Sequence, residues 1–485
     1  MSITAGLSSA LSGLNAAARA AEIVSSNIAN AMTEGYGRRE LQLSARTIGS
    51  SGQGVSVTGV SRRADPVLLG DRRSAQAGSG NRDTIASFLK RLESALGTVD
   101  SATSLGSRIN DFDTALLEAS SRPESEARLA KVLESAKALT SHLAAAGADI
   151  QQARATADDQ IENQVSQVNT ALARIADLNG QIRATTGSGR DNSALIDQRQ
   201  QAIDSIAKII PLREVPRDKG EVALFTTGGA VVLDGLPAQL GFTPAGVVVA
   251  GMTQSSGALS GLTLNGKALS TAAEDGPISG GTLAAQFAIR DDLAPQAQAK
   301  LDATARDLVE RFAAAGLDST RTAGAPGLFT DGGAAFNASN ETGLAQRLSV
   351  NAAADPAQGG GLWRLRDGLG ASAPGAAGNS QLLKDLQTAL TVPRVPVSGN
   401  FMTGARSFAT LAADMVSGVA RARVGAEDEA SFSAARLDTL STMEMEQGVD
   451  TDQEMQSLLV IEQAYAANAK VISTIGEMMQ KLLEM

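Results

Sequence analysis

The amino-acid sequence predicts an α+β multidomain fold, with long coiled-coil-like helices from both termini packed together, a helical rod domain, and one or more inserted β-rich lobes. Three observations carry that expectation. Apolar residues at both ends recur at alternating steps of four and three, a central run keeps helical spacing for some 60 residues, and residues 212–281 change to short β-branched runs parted by Gly and Pro. At 485 residues the chain is long enough for several domains, each able to bury a core. Hydrophobic residues make up 43% of it but aromatic ones only 3%, so burial rests on Ala, Leu, Val and Ile, which suits closely packed helices.

At the amino end Ile3, Leu7, Ala10, Leu14, Ala17, Ala21, Val24 and Ile28 form a heptad seam. Near the carboxy end Leu458, Ile461, Tyr465, Asn468, Ile472, Ile475, Met479 and Leu482 repeat the alternation, with Asn468 as one polar interruption. The first seam offers only five large side chains, each worth about 1.5–3 kcal/mol when buried. Backbone ordering costs about 1–2 kcal/mol per residue. The margin is narrow, so the terminal helices are expected to be frayed or disordered in the monomer and to order against neighbouring subunits.

Ser121-Arg-Pro123-Glu reads as a helix start, and Leu129, Val132, Leu139, Leu143, Ile150, Ile161, Val165, Val168, Leu172, Ile175 and Ile182 then recur at mostly helical spacing. Gly147 is the one candidate break, and Gly187-Ser-Gly189 closes the run. A shorter helix is expected over 192–210. Strands are expected at 221–226, 230–233 and 247–249, helix again over 282–318, and a possible strand at 348–350. Further helices fall around 379–391 and 405–445, and Gly448 separates the last from the terminal seam. The domains so defined are 1–60 with 446–485 as a terminal helical unit, and 61–210 with 282–318 and 379–445 as a helical rod. Residues 211–281 form a β domain, and 319–378 a Gly/Ala-rich surface lobe or loop.

Several functions find no support. A formal charge of −10, from 42 Lys and Arg against 52 Asp and Glu, opposes a phosphate-binding surface, so nucleic acid is not an expected partner. The pairs Arg38-Arg39, Arg62-Arg63 and Arg72-Arg73 read as salt-bridge partners, with a basic arm as the alternative. The absence of Cys removes disulfides and thiolate chemistry, and no run approaches the roughly 18 apolar residues of a membrane span. The first basic residue is Arg19, so the start lacks the charged and apolar regions of a cleaved signal, which by itself points to the cytosol unless export uses an uncleaved one.

The single histidine, His142, lies in an Ala-rich helical run and reads as a packed or solvated helical residue, not as the centre of a triad or a zinc site. Gly261-Leu-Thr-Leu-Asn-Gly266-Lys267-Ala268 approaches a phosphate loop but has Ala268 where Ser or Thr would hold magnesium. Its Asn265-Gly266 reads instead as a hairpin turn. Paired carboxylates such as Asp158-Asp159 and Asp291-Asp292 leave glycosidase chemistry open without supporting it. No catalytic residue, cofactor or metal ligand is assigned.

Leu11-Ser-Gly-Leu-Asn15, Ser25-Ser-Asn27-Ile28-Ala29-Asn30 and Gly35-Tyr36 resemble the amino-terminal signature of the rod, hook and hook-associated proteins of the bacterial flagellum. In this chain the turn 31–36 lacks the usual proline, and Gly37 stands where Ser is common. Gly448-Val449-Asp450, Glu454-Met455 and the run 463–472 are similar to that family's carboxy-terminal motif. Leu195-Ile196-Asp197-Gln198-Arg199-Gln200 after a long helix, Gly281-Thr-Leu-Ala-Ala-Gln286 with Arg290-Asp291, and Gly327-Leu-Phe329 are similar to the hook-associated protein 1 family.

The resemblance implies a non-enzymatic subunit of the flagellar tube at the hook–filament junction, exported by the type III route without a cleaved signal. Its implied partners are further copies of itself, the hook protein, hook-associated protein 3, the export apparatus and a cytosolic export chaperone on the carboxy-terminal helix. Residues expected at the assembly interface are Leu7, Leu11, Leu14, Ile28, Tyr36, Leu458, Ile461, Tyr465, Ile472 and Ile475. The rival readings are another axial subunit such as the hook protein, an exported wall-active hydrolase, and a cytosolic coiled-coil scaffold.

Overall fold

The computed structural model describes residues 3–33, 35–48, 51–98, 101–187, 191–271 and 276–484. The chain opens with helix α1 (Ile3–Ala29) and a long antiparallel hairpin, β1 (Arg39–Ile48) and β2 (Ser51–Arg62), which pairs Leu41 with Val60 and Leu43 with Val57. The hairpin was not foreseen, because its alternation is diluted by Ser, Thr, Gln and Arg and both its faces are largely open. Helix α2 (Pro66–Leu96) begins where the Asp65 carboxylate accepts from the amides of Val67 and Leu68, and Gly97 ends it at φ 82°.

Helix α3 (Leu105–Ser121) runs through the expected start of the next helix, so Pro123 lies in the turn and α4 (Glu126–Gly187) begins three residues after it. Helix α4 is unbroken for 62 residues, about 93 Å at 1.5 Å per residue. Gly147 does not interrupt it; a Cβ there would lie 2.8 Å from the Gln346 side chain, so Gly serves close packing. Ser188 and Gly189, read as part of the terminator, lie outside the described residues, as does Glu34 of the amino-terminal turn. His142 lies on α4, half-buried, with Nε2 3.1 Å from the Leu96 carbonyl; burial lowers its pKa.

Helix α5 (Ser193–Ala207) leads into the β region, where β3 (Leu212–Pro216), β4 (Val222–Thr226), β5 (Val231–Asp234) and β6 (Leu236–Pro237) form a four-stranded antiparallel sheet. Strands β7 (Leu240–Gly241), β8 (Leu262–Leu264) and β9 (Lys267–Leu269) form a three-stranded one, and Asn265 and Gly266, at φ 51° and 79°, make the β8–β9 turn. Residues 247–249 do not form the expected strand. Val248 is buried, while the carbonyls of Val249, Ala250 and Met252 bond to the Arg154 guanidinium, which leaves no ladder for a neighbouring strand.

Helix α6 (Thr282–Ala288) passes through a widened π turn into α7 (Ala294–Phe312), so this helical stretch ends earlier than Asp318. The amides of Thr282 and Leu283 donate to the carbonyls of Lys208 and Ile209. A Cβ on Gly281 would lie 2.1 Å from the Ile209 oxygen, which explains the glycine of the Gly281-Thr-Leu motif. In Gly327-Leu-Phe329 the cause is the same, with the Phe312 carbonyl oxygen 2.2 Å from a Cβ. Because backbone blocks the space at both positions, Gly281→Val is expected to destabilise the chain by more than about 4 kcal/mol, read as a collapsed thermal transition. An unchanged melt would contradict the close approach.

The remaining elements are β10 (Phe329–Asp331), α8 (Leu344–Arg347), β11 (Leu348–Val350), α9 (Arg364–Asp367), α10 (Gln381–Thr391), α11 (Phe408–Glu446) and α12 (Thr451–Leu483). Strands β10 and β11 pair antiparallel, so the possible strand at 348–350 is present. Two apolar cores lie along α4. Leu129 to Ala157 join Phe112, Phe312, Phe329 and Phe408 in the first, while Ile161 to Ile175 join Ile203, Leu224, Leu233 and Phe287 in the second. Beyond the first core α11 runs along α2, tied by Arg82 to Glu429 and Arg423 to Glu93, and α12 runs along α1.

Candidate assembly site of the paired terminal helices

The seams found at the two ends face each other. A Cβ on Gly6 would meet Ile475 Cδ1 at 3.4 Å, a Cβ on Gly13 would lie 2.8 Å from the Asn468 amide, and Asn27 bonds to Glu454. Seven residues up α1 match seven down α12, and the next fourteen match fourteen, so the helices run antiparallel in one constant register. Gly13 of the amino-terminal signature therefore makes room for Asn468, the polar interruption of the carboxy-terminal one. A single polar group in an apolar seam disfavours shifted registers.

Asn27 and Glu454 anchor the end of this pair nearest the rod. The Asn27 Nδ2 donates to Glu454 Oε2 at 3.1 Å and to the Arg39 carbonyl at 2.9 Å. Its Oδ1 accepts from the Tyr36 hydroxyl at 2.9 Å and the Arg39 amide at 3.0 Å. Both donors and both acceptor positions of the amide are thus used. Glu454 is 1% exposed and accepts a second bond, from Arg38 Nε at 2.7 Å.

Asp197 on α5 takes up the next residues of the path. It accepts from the Gly37 amide at 3.2 Å, Arg39 Nη2 at 3.0 Å and Arg62 Nε at 2.7 Å. A Cβ at residue 37 would lie 2.2 Å from Arg62 Nε, which accounts for Gly37 where Ser is common. Each further residue of the Asp197 motif except Gln198 has its own target. Arg199 donates to the Asn179 side chain and the Gly220 carbonyl, with its pKa pushed down by burial, and Gln200 accepts from Arg73 and donates toward Glu214. The three Arg pairs are salt-bridge partners within the chain: Arg63 meets Glu40, Arg72 meets Asp204 and Glu444, and Arg73 meets Asp204 and Glu214.

The residues expected at the interface divide between faces. Leu7, Leu14 and Ile28 on α1, with Leu458, Ile461, Ile472 and Ile475 on α12, lie on the mutual seam, half-buried except Ile475, which is buried. Leu11 and Tyr465 are exposed, and Tyr36 is spent on Asn27. A second stripe on α12 was missed: Val460, Ala464, Ala467, Val471, Thr474 and Met478 also step by four and three, and all are exposed, Val460 at 65% and Val471 at 46%. Its period is present in the sequence, but its residues are smaller than the Leu and Ile of the first seam and include Ala464, Ala467 and Thr474. Asn27, Glu454 and Asp197 belong to the motifs and Arg38 to an Arg pair, but their spacing in the sequence gives no sign that Asn27, Glu454 and Arg38 meet or that Asp197 holds the neighbouring path.

The groups considered for chemistry are committed elsewhere. Asp158 and Asp291 both hold the buried Arg290, and Asp292 accepts from Gln296. Among the described residues no cluster of three or more His, Asp or Glu side chains is disposed to hold a metal ion, and no helix is long and apolar enough to cross a membrane.

Comparison with known proteins meets this geometry at both ends and in the middle. The family of the flagellar hook-associated protein FlgK helical domain matches residues 89–329, from α2 to β10. The flagella basal body rod protein family matches 7–36, which is α1 and its turn, and the carboxy-terminal family of the basal body rod proteins FlgEFG matches 446–485, which is α12. Over residues 89–329 the chain is similar to the hook-associated protein 1 family. That family is a structural one, not an enzyme family.

Flagellar hook-associated protein 1 of Salmonella typhimurium is 30% identical over 237 residues, covering 47% of this chain and 42% of the relative. The Bacillus subtilis protein of the same name is 27% identical over 241 residues, covering 47% of each. The matched region thus spans under half the length of the curated relatives. A solved structure of a flagellar hook junction protein from Burkholderia pseudomallei is similar at a TM-score of 0.43 and 22% identity, over 54% of this chain and 46% of its own.

Proposed function

We propose that this chain is a structural subunit of the bacterial flagellum that joins hook to filament by self-assembly of its terminal helices. The observation that carries the reading is the two-faced α12: one apolar stripe is used within the subunit against α1, and a second stands open for neighbouring copies. Burying the open half of Val460, Val471 and Met478 is worth about 1 kcal/mol each, and the small Ala464, Ala467 and Thr474 add about as much together. That sum lies at the bottom of the roughly 4–15 kcal/mol cost of association, so one neighbour is not enough and stable packing needs several at once. A closed ring or tube supplies them, whereas a free dimer does not.

In this reading 1–60 with 446–485 form a coiled-coil-like inner unit and the helical rod, 61–210 with 282–318 and 379–445, lies outside it. Residues 211–281 and 319–378 are lobes carried on the rod. The subunit leaves the cell by the flagellar type III route without a cleaved signal and contacts the hook protein on one side and hook-associated protein 3 on the other. Before export, a cytosolic chaperone covers the open stripe of α12, whose chemistry suits a helix-in-groove ligand. Immunogold labelling of isolated flagella tests the placement. A single cluster of gold between hook and filament is expected; gold along the hook would make the chain a hook subunit, and unlabelled flagella would remove it from the axis.

A further inference from the structure

Of the two chain paths that lead to the terminal helix pair, one is fastened directly to a face of the short helix α5 and the other reaches the same face through Arg72 of α2. On α5, Asp197, Gln200 and Asp204 stand at steps of three and four, which places them on a single face. Asp197 holds the amino-terminal path through Gly37, Arg39 and Arg62. Two turns further on, Asp204 holds Arg72 Nη2 at 2.6 Å, and Arg72 Nε reaches Glu444 at 2.5 Å, four residues before the Gly448 break that begins the carboxy-terminal path. Arg73, 2% exposed, joins Asp204 at 2.6 Å to Glu214 of β3 at 2.9 Å and also bonds to Gln200.

We infer that α5 fixes the tilt of the terminal helix pair relative to the rod, with Asp197 and Asp204 as positioning residues for its two incoming paths. The Asn27–Glu454–Arg38 cluster ties the two paths to each other but not to the rod, so it cannot set that angle alone. Of the apolar side chains α5 buries, Ala202 and Ile206 lie on the opposite side, Ile203 flanks the polar face, and Ala207 shares the face of Gln200 and Asp204, so the polar bonds there are supplemented by only a small apolar contact. Gly35 and Gly37 on one path and Gly448 on the other leave the backbone free to bend, and that freedom is restrained by bonds to α5, direct on the first path and through Arg72 on the second. Burial makes these bonds effective, since Arg62 and Asp197 are only 13% and 10% exposed and poorly screened by salt.

The absence of Cys allows a direct test on the full-length chain, with Arg174→Cys on α4 and Glu462→Cys on α12 spin-labelled as a pair. Both positions are exposed and free of the networks above. Electron–electron resonance is expected to give one narrow distance distribution in the parent, and Asp197→Asn with Asp204→Asn is expected to widen it about twofold. Each single change is expected to give a smaller widening, because the other path still holds. If the double variant loses its helical circular dichroism, Arg62→Lys with Arg72→Lys, which keep both charges, carry the same expectation. A distribution with the parent's centre and width in a folded double variant would overturn the inference, whatever its effect on flagella.

Discussion

Val471→Asp is expected to leave the isolated subunit folded and to abolish its incorporation into flagella. Val471 is 46% exposed and flanks the seam of α12 with α1, so the change removes little packing in the monomer. Surface substitutions of this kind stay within about 0.5 kcal/mol of the parent. In an assembled tube the same position would be enclosed by neighbouring apolar side chains, and an unpaired carboxylate there costs several kcal/mol per copy. That cost matches or exceeds what the whole open stripe contributes, so it decides the outcome. An unchanged thermal melt together with filament-less, non-motile cells is the expected pair of results; normal filaments would show that this stripe is not an interface.

Glu454→Ala is expected to weaken the terminal helix pair itself. The carboxylate is 1% exposed and answers both the Asn27 amide and the Arg38 guanidinium, so its loss leaves an amide proton and the Arg38 Nε without their acceptor, with Glu40 as the remaining partner of that guanidinium. Truncating one member of a buried ion pair costs about 3–5 kcal/mol, and the 17% exposure of Arg38 puts this case near the lower figure. Hydrogen exchange is expected to rise in the first turns of α12 and the last turn of α1 while the rod remains protected. Glu454→Gln, which keeps an acceptor for Asn27, should be milder. If both variants exchange like the parent, Glu454 is not an anchor.

The parts of this architecture that were legible in the sequence are those written as local periodicity. The two seams, the long helix α4, the Asn265-Gly266 turn and the break at Gly448 each follow from residues close together in the chain. The antiparallel register of α1 and α12 was not legible, because it depends on Gly13 meeting Asn468 across more than 450 residues. The same holds for Asp197, whose partners lie 135–160 residues away on a hairpin with little alternation of its own. Val247 to Val249 failed as a strand for a related reason: the composition is right, but a buried guanidinium on α4 claims the carbonyls. Long-range polar contacts overrode local propensity at each of these places.

Motif residues gain physical causes from the structure that resemblance alone does not supply. Gly281 and Gly327 are glycines because a carbonyl oxygen occupies the place of their Cβ, and Gly37 because Arg62 does. The Asp197 motif is a bracket, with Asp197, Arg199 and Gln200 each bonded to a different element.

Electron microscopy of cells lacking this chain, with an assay of flagellin released into the medium, tests the junction assignment most directly. The account predicts complete hooks without filaments and flagellin shed outside the cell. Missing hooks would move the chain to the hook or rod, and normal filaments would contradict the assignment.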